Sequence, residues 1–175
     1  NVLDSGRKIA SGLAAETIHE SARSAALRLL RGERCFVIPL DPLDQTGDLT
    51  GIPASHAAAC QRAIDRALLA RRALACIDDA NDNSAAEGGE RSVLCVPIYV
   101  RGRAVACLYV THEQIRGLFG PDEERLADFV ATIAGAALEN AEGFAELQQL
   151  NASLEQRVAE RTAAASPYLT TLKPG

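Results

Sequence analysis

Two neighbouring apolar runs constrain the fold of this chain more than any other part of its sequence. The runs SVLCVPIYV (92–100) and AVACLYVT (104–111) are joined around Gly102, and this arrangement predicts a β-hairpin. Strands that are apolar on both faces lie in the middle of a sheet covered on two sides. We therefore expect helices on one face of a central sheet and other material, such as a ligand cavity, on the opposite face. The apolar side chains of the first strand are Val93, Cys95 and Tyr99 on one face and Leu94, Val96 and Ile98 on the other.

The segments before the hairpin predict helices that alternate with short strands. A first helix is expected from Asp4 or Ser5 to a stop at Gly32, along a broad apolar stripe. RCFVIPL (34–40) and ALACI (73–77) are short apolar runs that predict strands. HAAACQRAIDRALLARR (56–72) has one apolar face and predicts a second helix.

The chain after the hairpin predicts one very long helix. Pro121 suits the first helical position, and three acidic residues after it suit the positive end of the helix dipole. No proline follows before Pro167, so the helix is expected over about 121–164, a length of roughly 65 Å. Its second half must leave the globular domain. The stripe expected to pack on the sheet consists of Leu126, Phe129, Val130, Ile133 and Ala137.

Beyond residue 137 the apolar stripe narrows to a seam with alternating spacings of three and four. Such an a/d seam is typical of one helix that faces another helix, not a core. Asn151 at an a position is a known device for selecting a parallel two-stranded pair. We therefore expect a dimeric coiled coil. Its a positions are Ala137, Phe144, Asn151 and Val158, and its d positions are Asn140, Leu147, Leu154 and Arg161.

The ligand-binding candidates lie near the middle of the chain. DDANDNSAAEGGE (78–90) is long for a connection in a compact domain, and loops of this kind are often functional. Asp78 and Asp79 begin this loop, while Cys60 and Ile64 lie on the apolar face of the second helix. Small alanines on that helix favour space for a ligand against the sheet.

The second half of the chain resembles a GAF domain. RSVLCVPIYVRGRAVACLYVTH, followed by GLFGPDEERLADFVATIAGAALENAE, is similar to the family's apolar strand, glycine hairpin, second strand and acidic helix start. LNASLEQRVAERTAA looks like the helical linker that joins such sensors to histidine kinases and similar output domains. The first half resembles the family only in its order of elements.

The resemblance implies an α+β fold, an α/β sandwich with a central antiparallel sheet of about five to six strands. Helices would pack on one face, and the long C-terminal helix would extend as a coiled coil. The domains would be a sensor over 1–140, a signalling helix over 141–165 and a tail over 166–175. The expected function is a regulatory sensor module of a bacterial histidine kinase, which binds a small molecule or partner and acts as a homodimer linked to an output domain.

The resemblance implies no cofactor for this chain. The Asn-Lys-Phe-Asp-Glu signature of cyclic-nucleotide-binding members is absent, and the residue after Cys60 is Gln61, whereas bilin-attaching cysteines are commonly followed by His. His19, His56 and His112 are the only candidates for a haem ligand and are expected at the surface. We predict no metal, no cofactor and no catalytic residue.

Composition excludes other classes of function. The net charge is −5 without a basic cluster, which argues against nucleic-acid binding. No apolar run approaches the roughly 20 residues of a membrane helix. Five widely spaced cysteines without a C-x-x-C pair indicate buried thiols in a reducing cytoplasm.

Two alternatives to the sensor stay open. One is a dimerisation module that binds no ligand. The other is a GAF-type reductase that uses Cys35, Cys95 and Cys107 as neighbours on adjacent strands, although buried thiols are poor nucleophiles.

Overall fold

The computed structural model describes residues 2–78 and 91–169. The predicted hairpin, short strands and three helices are all present. No helix in these two ranges has an apolar stretch long enough to cross a bilayer. The elements in chain order are α1 (Val2–Leu30), β1 (Arg34–Pro39), α2 (Ala54–Ala70), β2 (Leu74–Asp78), β3 (Arg91–Val100), β4 (Arg103–His112) and α3 (Pro121–Leu169).

The strands form one antiparallel sheet in the order β1-β4-β3-β2. The α+β fold is therefore confirmed, but within the described ranges the sheet has four strands instead of the expected five to six. Residues 41–53 add only an isolated bridge between Leu40 and Gly47. Their aspartates accept hydrogen bonds from nearby backbone, as Asp41 does from the amide of Leu43, and such local bonds compete with strand pairing.

Helices cover both faces of the sheet, so the expectation of helices on one face is wrong. α1 and α3 pack against one face over Leu94, Val96 and Ile98 of β3. α2 packs against the other face over Val93 and Cys95. The alternation of the two apolar sets was predicted correctly. What the periodicity could not tell is which helix lies over which set, because each helix shows only one apolar face in either case.

The end of α1 brings it beside the end of β4. Arg31 adopts the left-handed conformation with φ 57° that ends the helix, so the helix ends one residue before the stop predicted at Gly32. Gly32 is needed for another reason, because a Cβ there would lie 2.3 Å from Cγ1 of Val110. The next amide, that of Glu33, donates to the carbonyl of Thr111 over 2.8 Å. α1 therefore ends beside the end of β4.

α3 is held on the sheet by a close backbone approach and by two carboxylates. A Cβ at Gly135 would lie 2.3 Å from the carbonyl oxygen of Tyr99, so only glycine permits this contact. Asp128 accepts from the amide of Ala73 over 2.7 Å, and Glu124 accepts from that of Ala75 over 2.8 Å. These bonds satisfy one backbone donor in β2, the outer strand on this side, and one immediately before it.

α3 continues far past its packed part. Its 49 residues correspond to about 73 Å, and the helix passes the predicted end near residue 164 to include Pro167. Leu138 is buried, whereas Phe144, Leu147, Leu154 and Val158 are exposed. The second half of the helix therefore leaves the domain, as predicted.

Candidate functional site

The layer between α2 and the sheet is filled with side chains. Cys60 and Ile64 are fully buried and pack with Ile38, Cys107 and Tyr109 from the sheet. The alanines of α2, such as Ala63, are buried too, so they bring the helix close to the sheet instead of leaving space. Among the described residues, a cleft of about 100 Å³ lies between α2 and β2, well below the roughly 300–1,000 Å³ of typical ligand sites, whereas a cleft of about 480 Å³ lies beside β1, where Ile38 and Ile52 line it.

The cysteines are divided between the two faces of the sheet. Cys95 and Cys107 lie with Cys60 in the α2 layer, whereas Cys35 lies in the layer of α1 and α3. Burial raises the pKa of Cys35 and that of Cys60 to about 12. A hydrogen bond with Cys107 and burial raise the pKa of Cys95 well above its usual value. Thiols in this state are poor nucleophiles at neutral pH.

A polar cluster lies at the end of this layer, where β3 begins and β4 ends. His56 of α2 is buried, and its Nε2 lies 3.2 Å from Oε1 of Glu113. Nη1 of Arg34 lies 4.0 Å from the same carboxylate oxygen, and Arg91 donates to the carbonyl of Ser55 over 3.4 Å. We call His56, Arg91, Thr111 and Glu113 the polar cluster.

Two buried atoms of the polar cluster have unused hydrogen-bonding capacity. Nδ1 of His56 and Oγ1 of Thr111 have no hydrogen-bond partner among the described residues. Thr111 faces α2 by strand alternation from Cys107 and Tyr109. Desolvation, and then the charge of Arg91, lower the pKa of His56, so at neutral pH its imidazole is uncharged. The cluster can therefore hydrogen-bond a water molecule or a polar group of a ligand.

Sequence reasoning placed His56 at the surface, although a signal for its burial was available. His56, Cys60 and Ile64 are spaced by four residues and share one helical face. Of the ligand candidates, Cys60 and Ile64 belong to the packed core, and Asp78 is the last residue of β2. Asp79 lies outside the described residues. The ligand-binding role of these four residues stays a prediction.

The other histidines are distributed over separate parts of the fold. His19 is half-buried on α1, and burial lowers its pKa. His112 accepts hydrogen bonds at Nδ1 from the amides of Gln114 and Ile115, which shapes the turn after β4. Among the described residues, no group of three or more His, Cys, Asp or Glu side chains could hold a metal ion.

A family model described as the GAF domain matches residues 14–138. This range includes the whole sheet and α2, most of α1 and the first part of α3. The chain belongs to the GAF domain family. Members of this family are regulatory sensor modules of bacterial signalling proteins. The match includes α2 and the polar cluster and ends at Leu138, the last residue of α3 that is buried among those whose burial is described.

Solved structures of GAF domains share this fold. One from Synechocystis sp., in its photoproduct state, aligns over 77% of this chain and 99% of its own at 16% identity, with a TM-score of 0.56. A GAF domain/HD domain protein from Geobacter sulfurreducens aligns over 75% and 97% at 17% identity, with a TM-score of 0.54. The blue-light absorbing PixJ GAF domain of Thermosynechococcus elongatus aligns over 83% and 95% at 15% identity, with a TM-score of 0.57. No curated protein matches significantly.

Proposed function

We propose that this GAF domain is the cytoplasmic sensor module of a bacterial histidine kinase and passes a signal through a parallel pair of α3 helices. It is itself non-catalytic, and the output domain is covalently linked to it in the full protein. The observation that carries the proposal is the exposed seam on a helix that also packs on the sheet. One rigid element then joins the sensor to the partner helix.

The proposed input is at the edge of the sheet where β2 ends. Glu124 of α3 bonds the backbone of β2 and Asp128 bonds the residue just before it, and Arg72 adds an ion pair to Glu124 at 3.3 Å. A small molecule or partner that binds beside the polar cluster and displaces β2 would therefore also displace α3 through these contacts. For such a signal to work, the ligand must bind one arrangement of the helices more tightly than the other.

A dimerisation module without a ligand is the second candidate. The filled layer beneath α2 favours it, because Cys60, Ile64 and Tyr109 occupy the space in which a ligand was expected. Mass spectrometry of the natively purified protein distinguishes the two candidates. A stoichiometric small molecule that raises the melting temperature supports the sensor, and a protein free of small molecules that is unaffected by a metabolite library supports the second candidate.

The dimer is tested by sedimentation velocity over a concentration series. We expect the full chain to associate and the chain that ends at residue 143 to associate much more weakly. Leu154→Glu, in the seam, should also weaken association. Leu69→Glu is the matched control, because Leu69 is an exposed leucine on α2. A full chain that stays monomeric throughout would contradict the proposal.

A cysteine-dependent reductase is disfavoured by the raised thiol pKa values and by the position of Cys35 across the sheet from Cys95 and Cys107. Titration of the native protein with a thiol reagent at pH 7 should therefore reveal no fast-reacting cysteine among the buried four. A rapidly labelled Cys95 or Cys107 would revive the enzyme hypothesis.

A further inference from the structure

The cleft of about 480 Å³ beside β1 opens at the outer edge of the sheet, between α1 and the loop that follows β1. Its volume lies within the range of typical binding sites. His19 belongs to the α1 wall, residues 35–38 of β1 form the floor, and Ile52 belongs to the loop wall. Nε2 of His19 is buried without a hydrogen-bond partner among the described residues. We call this space the edge cleft.

The hydrogen-bonding edge of β1 is open at the edge cleft. The amide of Leu40 donates to the carbonyl of Val105 over 3.0 Å, and this pair continues the register of β1 with β4. Because backbone groups alternate in direction along a strand, Cys35 and Val37 direct theirs away from β4. In the part of the chain that the structure describes, these outward groups form no hydrogen bond. The edge can therefore pair with another strand.

The loop after β1 explains why no strand occupies this position. The amide of Asp48 donates to the carbonyl of Pro39 over 2.9 Å, so the chain begins to return along β1. It then turns away, and the Asp48 carboxylate accepts hydrogen bonds from the amide and the hydroxyl of Thr50. Within the described ranges, the place beside Cys35 and Val37 is therefore left without a neighbouring strand.

The two walls of the edge cleft differ in chemistry. On the α1 wall, Nη2 of Arg23 lies 2.6 Å from Oε1 of Glu20, so the guanidinium charge is already compensated. Glu16 adds a second carboxylate to this wall, which is therefore net negative. On the other side, Phe36 and Ile52 pack with the apolar cluster beneath α2. One wall favours cationic groups, and the other favours apolar groups.

An extended peptide matches both walls and the open edge. Successive side chains of a strand point to opposite faces, so alternate residues would meet the acidic wall and the apolar wall. A second copy cannot supply its own β1, because that strand lies on the floor of the same cleft. The walls of the two copies would collide before their strands came within the roughly 4.8 Å of paired strands. Its β2 is also engaged, since Glu124 accepts from the amide of Ala75.

We propose that the edge cleft binds an extended segment of a partner protein, with alternating apolar and basic residues, as an additional strand of the four-stranded sheet. The main-chain groups of Cys35 and Val37 pair with the segment, and the two walls select its side chains. This interaction goes beyond the proposed sensor and dimer and depends on neither. It lies at the opposite edge of the sheet from β2.

NMR titration with a blocked five-residue peptide of alternating valine and lysine tests the proposal. We expect the amide signals of Cys35 and Val37 to shift and their hydrogen exchange to slow, because both amides become hydrogen-bonded. The same peptide with N-methylated backbone amides should bind much more weakly, since it cannot complete the strand pairing. A peptide of alternating valine and glutamate should bind about threefold more weakly or worse, because Glu16 and Glu20 repel it.

Two variants separate the backbone edge from the acidic wall. Val37→Pro removes an outward amide, as Pro39 already does in the same register, and should raise the Kd of the lysine peptide about tenfold. Glu16→Lys should raise the Kd of the lysine peptide and lower that of the glutamate peptide. Asp65→Lys is the matched control, because Asp65 is exposed on α2 outside the edge cleft, and it should change neither Kd. Thermal melts verify folding, and Glu16→Lys tests the proposal even if Val37→Pro does not fold.

Two results would overturn the inference. If no amide of residues 35–38 responds at peptide concentrations up to roughly 1 mM, the edge cleft does not accept a strand. If the N-methylated peptide binds as tightly as its parent, the cleft holds side chains or a small molecule and the backbone edge is unused. Neither result concerns the dimer, which sedimentation velocity measures separately.

Discussion

The two halves of α3 have the same backbone geometry but opposite relations to their surroundings. Up to Leu138 the helix has small or apolar residues against the sheet, with Gly135 in contact with the backbone of Tyr99. Beyond that point its apolar residues are exposed, and a glycine such as Gly143 has open space around it. The same residue type therefore has different consequences in the two halves. The first half therefore contributes to the stability of the domain, and the second half is the part of the helix for which we propose a role in association.

The largest difference is expected between two glycine substitutions. Gly135→Ala should lower the free energy of unfolding by about 3 kcal/mol or more, because the new Cβ meets a backbone oxygen that cannot move aside. Gly143→Ala should instead raise it by about 0.5–1 kcal/mol through the better helix propensity of alanine. Urea denaturation measures both. Equal effects of the two substitutions would show that α3 does not pack closely at Gly135.

Two leucines provide the next comparison. Leu138→Ala removes a buried side chain and should cost about 2–3 kcal/mol of stability at any protein concentration. Leu147→Ala removes an exposed one and should leave the stability of the monomer unchanged while it weakens the dimer. Denaturation at low and high protein concentration separates the two effects. A concentration-independent loss for Leu147→Ala would mean that this residue packs within its own chain.

Two acidic residues allow the same comparison between the two halves of α3 for polar contacts. Asp128→Ala leaves the amide of Ala73 without its acceptor and should cost about 1–2 kcal/mol. Glu146→Ala removes an ion pair with Arg101 in which both side chains are more than half exposed, so it should change stability by only a few tenths of a kcal/mol. Urea denaturation midpoints measure both losses of stability, provided that the dependence of the unfolding free energy on urea is the same in the two variants. Equal losses for Asp128→Ala and Glu146→Ala would contradict this expectation.

The smallest effect is expected for the loss of stability in acid, through His56 on the opposite face of the sheet. Because the pKa of His56 is lowered in the folded state, the unfolded chain binds the proton more readily. Stability from this group is complete above the unfolded pKa of about 6.5 and is lost as the pH falls through the folded pKa. Stability measured between pH 7.5 and 5 should therefore decline less steeply in His56→Gln. His19→Gln is the comparison variant, since burial lowers the pKa of His19 as well. If neither substitution changes the dependence of stability on pH, the lowered pKa of His56 in the folded state would be contradicted.

The sequence predicted the elements well but not the partners of their apolar faces. The hairpin and the start of α3 at Pro121 were predicted correctly, because alternation and helix-start preferences are local properties. Phe129 and Ile133 were expected to pack on the sheet but are exposed, since an apolar stripe has the same periodicity whether or not a sheet covers it. The expectation that all helices lie on one face of the sheet was wrong for α2 for the same reason. His56 was missed because a single polar residue on an apolar face carries little weight against its usual exposure.

The contact between Gly135 and Tyr99 gives α3 a fixed point, and the long helix beyond it acts as a lever. About 30 residues separate Gly135 from residue 165, an arm of about 45 Å. A tilt of about 10° at the fixed point would therefore displace the far end sideways by about 8 Å, which is close to the roughly 8–10 Å that separates the axes of two packed helices. Small motions of the sheet at Tyr99 would thus produce large changes in the separation between the far end of α3 and any helix beside it.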